Sequence, residues 1–303
     1  MKIEKLLTDW QAKNPDAALQ WVLGLPKLKD RQAFLSMIIG QIASKDLDAA
    51  TALIREHGRE EHGGWNIPEM FVRELGKRDA DTMVRVLGSF ISTNGSTDLP
   101  HALFTEGFDF RATADGLAAI QSGLGRYECL AAVPRDLISE WTERDATGAW
   151  EWLMEGKQLR FADLTRFFEA YSMTASPKDV AGLVVEAMDL KSTTSEKFDL
   201  VWSILAEKPN ATMITQFLAQ VPGEREENLR NLFKESARGH GGNFDPFNQL
   251  LLQQMSARER LAVVSSRYEY GASPNDVSFY TPLLRQLGHS DEEIRQMLPP
   301  DRK

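Results

Sequence analysis

The 303-residue chain is predicted to be all-α: a right-handed α-solenoid, or αα superhelix, of about nine helix-turn-helix repeats with a period near 32 residues. Three observations predict it. A helix-start signature first seen in "KNPDAALQW" (13–21) returns in looser form at "KDLDAATAL", "KRDADTMVRVL", "ERDATGAWEWL" and "ASPKDVAGLVV". Apolar positions travel with that signature at helical spacing. No run of alternating β-branched or aromatic residues is bounded by a hairpin turn.

In order along the chain, Leu6, Leu7 and Trp10 stand at i, i+3 and i+4 spacing, the stripe of a first helix. Asn14 then suits an N-cap, Pro15 the first helical position, where its missing N–H costs nothing, and Asp16 the positive end of the helix dipole. Similar starts are expected at Asp46, Asp79, Thr113, Asp145, Ser176 before Pro177, Lys208 before Pro209, Asp245 before Pro246, and Ser273 before Pro274. Trp10, Ile42, Leu75, Trp141, Ser172 and Ile204 each stand four residues before a start, and most of them read as core. On the following helix, Leu19 and Trp21 correspond to Ala50 or Thr51 and Leu53, to Val84 and Val86, and to Trp150 and Trp152. Asn66 is read as the cap of a helix beginning near Pro68, with Trp65 facing Met70 as a hydrophobic staple. A two-helix unit cannot bury such stripes alone, so neighbours must stack and share a core.

One domain, 1–303, is expected, with irregular junctions near 88–110 and 238–246. A C-terminal capping helix is expected at 290–298, where Ser290 and Glu293 have the spacing of a capping box and "PPDRK" ends the helix.

On these residues the chain resembles TPR-like and HEAT-like α-helical tandem repeats. More narrowly, it is similar to bacterial repeats that read Trp, a polar pair, (N/D)P-x-A-A-L-x-W and then L-P, here Trp10, Asn14, Pro15, Ala17, Ala18, Leu19, Trp21, Leu25 and Pro26. The resemblance covers the first copy well and the rest loosely, and the W-x2-L-G-x2-Y signature of the tetratricopeptide unit is absent. It implies a scaffold that binds another macromolecule.

Composition narrows the function classes. With 44 acidic against 35 basic side chains, the net charge of -9 disfavours a nucleic-acid backbone as partner. Cys129 is the only cysteine, so neither an intrachain disulfide nor a cysteine-based zinc site can form within the chain. "MKIEKLLTDW" lacks the apolar centre of a signal peptide and no stretch has the length of a membrane span, so a cytoplasmic location is expected.

Motifs for chemistry are sparse. "HGREEHGGW" (57–65) gathers His57, Glu60, Glu61 and His62, but histidines five apart do not share a helix face, and H-E-x-x-H is absent. "RGHGGNF" (238–244) reads as a glycine-rich connection, and "SGLGRYE" (122–128) lacks dinucleotide-binding spacing. No serine lies in G-x-S-x-G and there is no Walker loop. No catalytic residue, metal ligand or cofactor is therefore assigned. The binding candidates are Asp16, Asp48, Asp81 and Asp115, read as standing two residues past the cap in four successive units, an acidic ladder able to steer a basic segment. Each carboxylate also complements its helix dipole.

The function expected is a non-catalytic protein–protein interaction scaffold or adaptor that uses the groove of the array, with a protein or peptide partner and no membrane. A nucleic-acid-binding helical repeat is the alternative, on the basic groups Lys27, Lys29 and Arg31 and Arg258, Arg260 and Arg267, which read as solvated surface. An enzyme, or a helical domain of one, is the third reading.

Overall fold

The computed structural model describes residues 2–58, 65–92, 98–124, 130–131, 133–156, 163–236, 246–268, 272 and 274–299. Helix makes up 74% of the chain, and the strands among the described residues are four two-residue pieces, so the class is all-α. The chain divides into two compact units, Met1–Asp163 and Leu164–Lys303.

The first unit opens with α1 (Lys2–Lys13), α2 (Pro15–Leu23), α3 (Leu28–Ala43), α4 (Leu47–His57), α5 (Glu69–Leu75) and α6 (Ala80–Leu87). Helices α1 and α2 pack as a hairpin, as do α3 and α4, and α3 also packs against both α1 and α5. Gly40 is what lets α3 and α5 approach: a Cβ built there would sit 2.5 Å from Met70 Cβ. Starts at Asn14, Asp46 and Asp79 are as expected, each side chain accepting a backbone N–H three residues on. The segment at 65–68 differs from expectation. Pro68 holds the N-cap position of α5, with no side-chain cap bond. Trp65 packs edge-on against Phe90 at 5.4 Å, leaving Met70 largely exposed. An aromatic ring gains more from the buried Phe90 edge than from a flexible thioether at the surface.

Short strands β1 (Ile91–Ser92) and β2 (Asp98–Leu99) pair with β3 (Leu130–Ala131), antiparallel, and β4 (Val133–Pro134), parallel. Between them runs α7 (Phe110–Gly123), followed by the hairpin of α8 (Leu137–Arg144) and α9 (Ala146–Met154); α7 packs on α6 and on α9. The start of α7 corrects the expectation at Thr113. Asp109 is the cap, its Oδ1 accepting Ala112 N–H at 2.8 Å. Thr113 is fully buried one turn inside, with its hydroxyl donating to Asp109 O at 2.9 Å. A carboxylate free to reach the first-turn N–H groups caps better than a threonine whose hydroxyl bonds back to its own helix.

The second unit holds α10 (Asp163–Tyr171), α11 (Pro177–Ala187), a 3-10 turn at Met188–Leu190, α12 (Thr194–Glu207), α13 (Ala211–Gln220), α14 (Arg225–Ser236), α15 (Pro246–Gln253), α16 (Ala257–Arg267), α17 (Pro274–Gln286) and α18 (Asp291–Met297). Its packing is periodic: α12, α14, α16 and α18 lie in one row, each against the next, and α11, α13 and α15 in another. Ser176 caps α11 as expected. At α13 the cap is Asn210 rather than Lys208, because the amide oxygen of Asn210 accepts from both Thr212 and Met213. Pro209 therefore precedes the cap. Helices α15 and α17 begin at Pro246 and Pro274, but their expected caps Asp245 and Ser273 lie outside the described residues. The terminal α18 carries the expected capping box between Ser290 and Glu293. No described helix is long and apolar enough to cross a membrane.

Candidate functional site

Three of the four aspartates proposed as a ladder occupy equivalent places in the first unit. Asn14, Asp46 and Asp79 cap α2, α4 and α6, and two positions later Asp16, Asp48 and Asp81 point from the first turn into solvent. The Thr82 backbone N–H and side chain hold the Asp79 carboxyl below the usual aspartate range, so that cap stays anionic. Adjacent layers meet at this rim, where Arg85 Nη1 of α6 lies 2.9 Å from Asp48 Oδ1 of α4. Both partners are well exposed, so the pair contributes little stability, about 0–1 kcal/mol.

Asp115 does not join them. Because Asp109 rather than Thr113 caps α7, the place two past the cap belongs to Arg111, which pairs with Glu155. Asp115 is half-buried and accepts the Trp152 indole N–H at 3.0 Å. The fourth rung therefore carries a cation, and the misplaced aspartate connects α7 to α9.

A feature the sequence reading missed is the exposure of Trp10 and Trp21. Both were assigned to core stripes, yet they are 38% and 42% exposed, together with Leu6 on the same helix as Trp10. Their rings lie 5.9 Å apart at 57°, and Trp21 meets Phe34 of α3 at 5.9 Å and 49°. Helical spacing identifies which face is apolar, not whether anything covers it.

One of the basic groups also departs from expectation. Arg260 was read as surface, but it is buried in the second unit. Its Nε donates to His289 Nε2 at 2.9 Å, Nη1 to the carbonyls of Leu252 and Met255, and Nη2 to that of Leu287 at 3.1 Å. Burial, then the Arg260 charge, lowers the His289 pKa, with Glu293 acting in the opposite direction. The imidazole is thus the neutral acceptor in this set. The guanidinium ties α16 to the end of α17.

Two further polar sites lie in the first unit. Asp136 Oδ1 accepts the Ala102 N–H at 3.0 Å, and His101 Nδ1 lies 3.3 Å from Oδ2; burial raises this carboxyl, partly offset by those two partners. With Arg144 donating to the carbonyls of Phe104 and Thr105, the set holds the 101–105 segment in place. A small cleft is lined by Gln32, Ser36, His57, Asn66 and Pro68 among others; His57 there lies 3.6 Å from Glu56. Glu60, Glu61 and His62, the "RGHGGNF" stretch and Cys129 lie outside the described residues. Among the described residues no group of three or more His, Cys, Asp or Glu is placed to hold a metal ion.

No protein-family model, no curated protein and no solved structure matches the chain.

Proposed function

We propose that the protein is a non-catalytic interaction scaffold, a right-handed superhelix of about nine helical hairpins with a period near 32 residues, which binds a protein or peptide partner. The observation that carries this reading is the row packing of alternate helices: α1, α3 and α5 in the first unit, and α12, α14, α16 and α18 in the second. Stacked hairpins of this kind present a repeated surface on which each layer contributes the same position, so a partner is read by a row of like side chains. In the first unit that row is Asp16, Asp48 and Asp81, which suits a basic segment, and the net charge of -9 has the same sign.

The test starts with partners enriched from native lysate on the wild-type chain and compares their affinity for the double variant Asp16→Lys/Asp48→Lys. A basic partner is expected to bind the variant about tenfold more weakly, and the wild type less well as salt rises. Unchanged affinity and no salt dependence would remove the rim from the binding surface, and the absence of any enriched partner would remove the scaffold reading.

A further inference from the structure

The hairpins α1/α2 and α8/α9 carry the same apolar pattern. "LLTDWQAKNPDAALQW" (6–21) aligns with "LISEWTERDATGAWEW" (137–152), placing Leu6, Trp10 and Trp21 opposite Leu137, Trp141 and Trp152. In both, the first tryptophan stands four residues before the cap, Asn14 or Asp145, and the second seven after it. The geometry agrees as well: Trp10–Trp21 centroids are 5.9 Å apart at 57°, Trp141–Trp152 centroids 5.9 Å apart at 51°.

The two copies differ in what lies on them. In α8/α9 the three residues are buried, with Leu137 and Trp152 at 0% exposure and Trp141 at 3%. Helix α7 contributes two specific contacts to that cover. Its first residue, Phe110, stacks on Trp141 at 6.4 Å and 12°, and Asp115, five residues later, accepts the Trp152 indole N–H. In α1/α2 the equivalent face is only partly covered: Trp21 meets Phe34 of α3, yet Trp10 and Trp21 remain 38% and 42% exposed, and among the described residues the Trp21 indole donates to no acceptor. Leu6, Trp10 and Trp21 together make an apolar surface on which, among the described residues, neither indole N–H is used, and the chain itself shows the kind of helix that such a surface takes.

We propose that the α1/α2 face docks an amphipathic helix of a separate protein, one bearing an aromatic residue to stack on Trp10 and, five positions later, an Asp or Glu to accept the Trp21 indole N–H. The aromatic contact supplies most of the affinity, as large rings do at interfaces. The carboxylate fixes register and direction, because a helix docked one residue out of place leaves both the indole donor and its own buried acceptor unpaired. This rests on the scaffold reading and specifies the chemistry of one partner.

The probe is a fluorescein-labelled, hydrocarbon-stapled peptide of residues 108–124 of this chain, since α7 is the helix that meets the equivalent face. It is titrated against the full chain by fluorescence anisotropy. Saturable 1:1 binding is expected. Trp10→Ala in the protein, or Phe110→Ala in the peptide, should weaken it by about tenfold. Trp21→Phe, which keeps a ring but removes the donor, should weaken binding by about fivefold to the native peptide and not at all to a peptide carrying Asp115→Ala. Circular dichroism of the variants checks that exposed Trp10 and Trp21 are dispensable for folding. No saturable binding up to millimolar peptide, or binding indifferent to Trp10→Ala and Trp21→Phe, overturns the proposal. So does a dimer, seen by light scattering, that Trp10→Ala dissociates, since a second copy would then be the occupant. The Asp16→Lys/Asp48→Lys comparison separates the two readings: if rim reversal still weakens a captured partner while the peptide does not bind, the scaffold stands and only the helix-docking face falls.

Discussion

Replacing Arg260 tests the claim that a buried cation holds the end of the second unit together. Arg260→Met preserves most of the apolar stem but removes every donor. The His289 Nε2 and the carbonyls of Leu252, Met255 and Leu287 then lose their guanidinium partner. Each buried acceptor left unpaired costs about 1–3 kcal/mol, but the Leu252 carbonyl keeps the Met255 N–H and removing the cation relieves its own desolvation, so the four do not add. A net loss of about 2 kcal/mol is expected, because the acceptors left behind are all neutral. Arg260→Lys keeps the charge without the planar fork and should cost roughly half as much. Urea denaturation followed by circular dichroism measures the total, and hydrogen exchange at the Gly288 and His289 amides, bonded to Arg285 and Leu284, locates it. A cost below about 1 kcal/mol for Arg260→Met, or faster exchange confined to another part of the chain, would refute the reasoning.

The same site makes a pH prediction. His289 accepts at Nε2 and therefore folds neutral, with its pKa held below the ordinary 6.5 by burial and by Arg260. The unfolded chain takes up a proton near 6.5 while the folded chain does not, so the stabilisation is complete above that value. It is lost as pH falls below it, by at most about 1.4 kcal/mol per pH unit. Between pH 6.5 and 5 that slope should flatten in His289→Gln, whose amide oxygen can still accept from Arg260; an unchanged slope would assign the effect elsewhere.

Gly40→Ala gains about 1 kcal/mol of helix propensity but drives a methyl to 2.5 Å from Met70 Cβ, so a net loss of about 1–2 kcal/mol in thermal denaturation is expected. Asp145→Ala removes the acceptor for the Gly148 N–H, 2.9 Å away, and should cost about 1 kcal/mol. Asp145→Asn should restore most of it, a rescue that a purely electrostatic cap would not show.

The helix starts that could be read from sequence were those fixed locally. Asn14, Asp46, Asp79, Asp145, Ser176 and Ser290 each satisfy an N–H three residues away, and such a bond depends on little beyond its own turn. Asn210 was missed because a proline at 209 was taken as the first helical residue, when an amide able to reach two N–H groups outweighs it. The start expected at Thr113 falls one turn inside the helix that Asp109 caps, and that one-turn offset carries Asp115 onto a rim it does not occupy. Arg260 could not be read at all, since its acceptor His289 is 29 residues away and nothing in "SARERLA" distinguishes a buried arginine from a solvated one. The rim aspartates were legible because they follow their caps, whereas the open tryptophan pair was not, because cover is a property of neighbours.

In the row α12, α14, α16, α18, each helix leans on the one before and the one after. A lesion in α16 should therefore loosen α14 and α18 strongly and α12 hardly at all, and the protein's tolerance of sequence change would then be set by distance along the row. A change in one layer of such a wall is felt chiefly by the layers beside it.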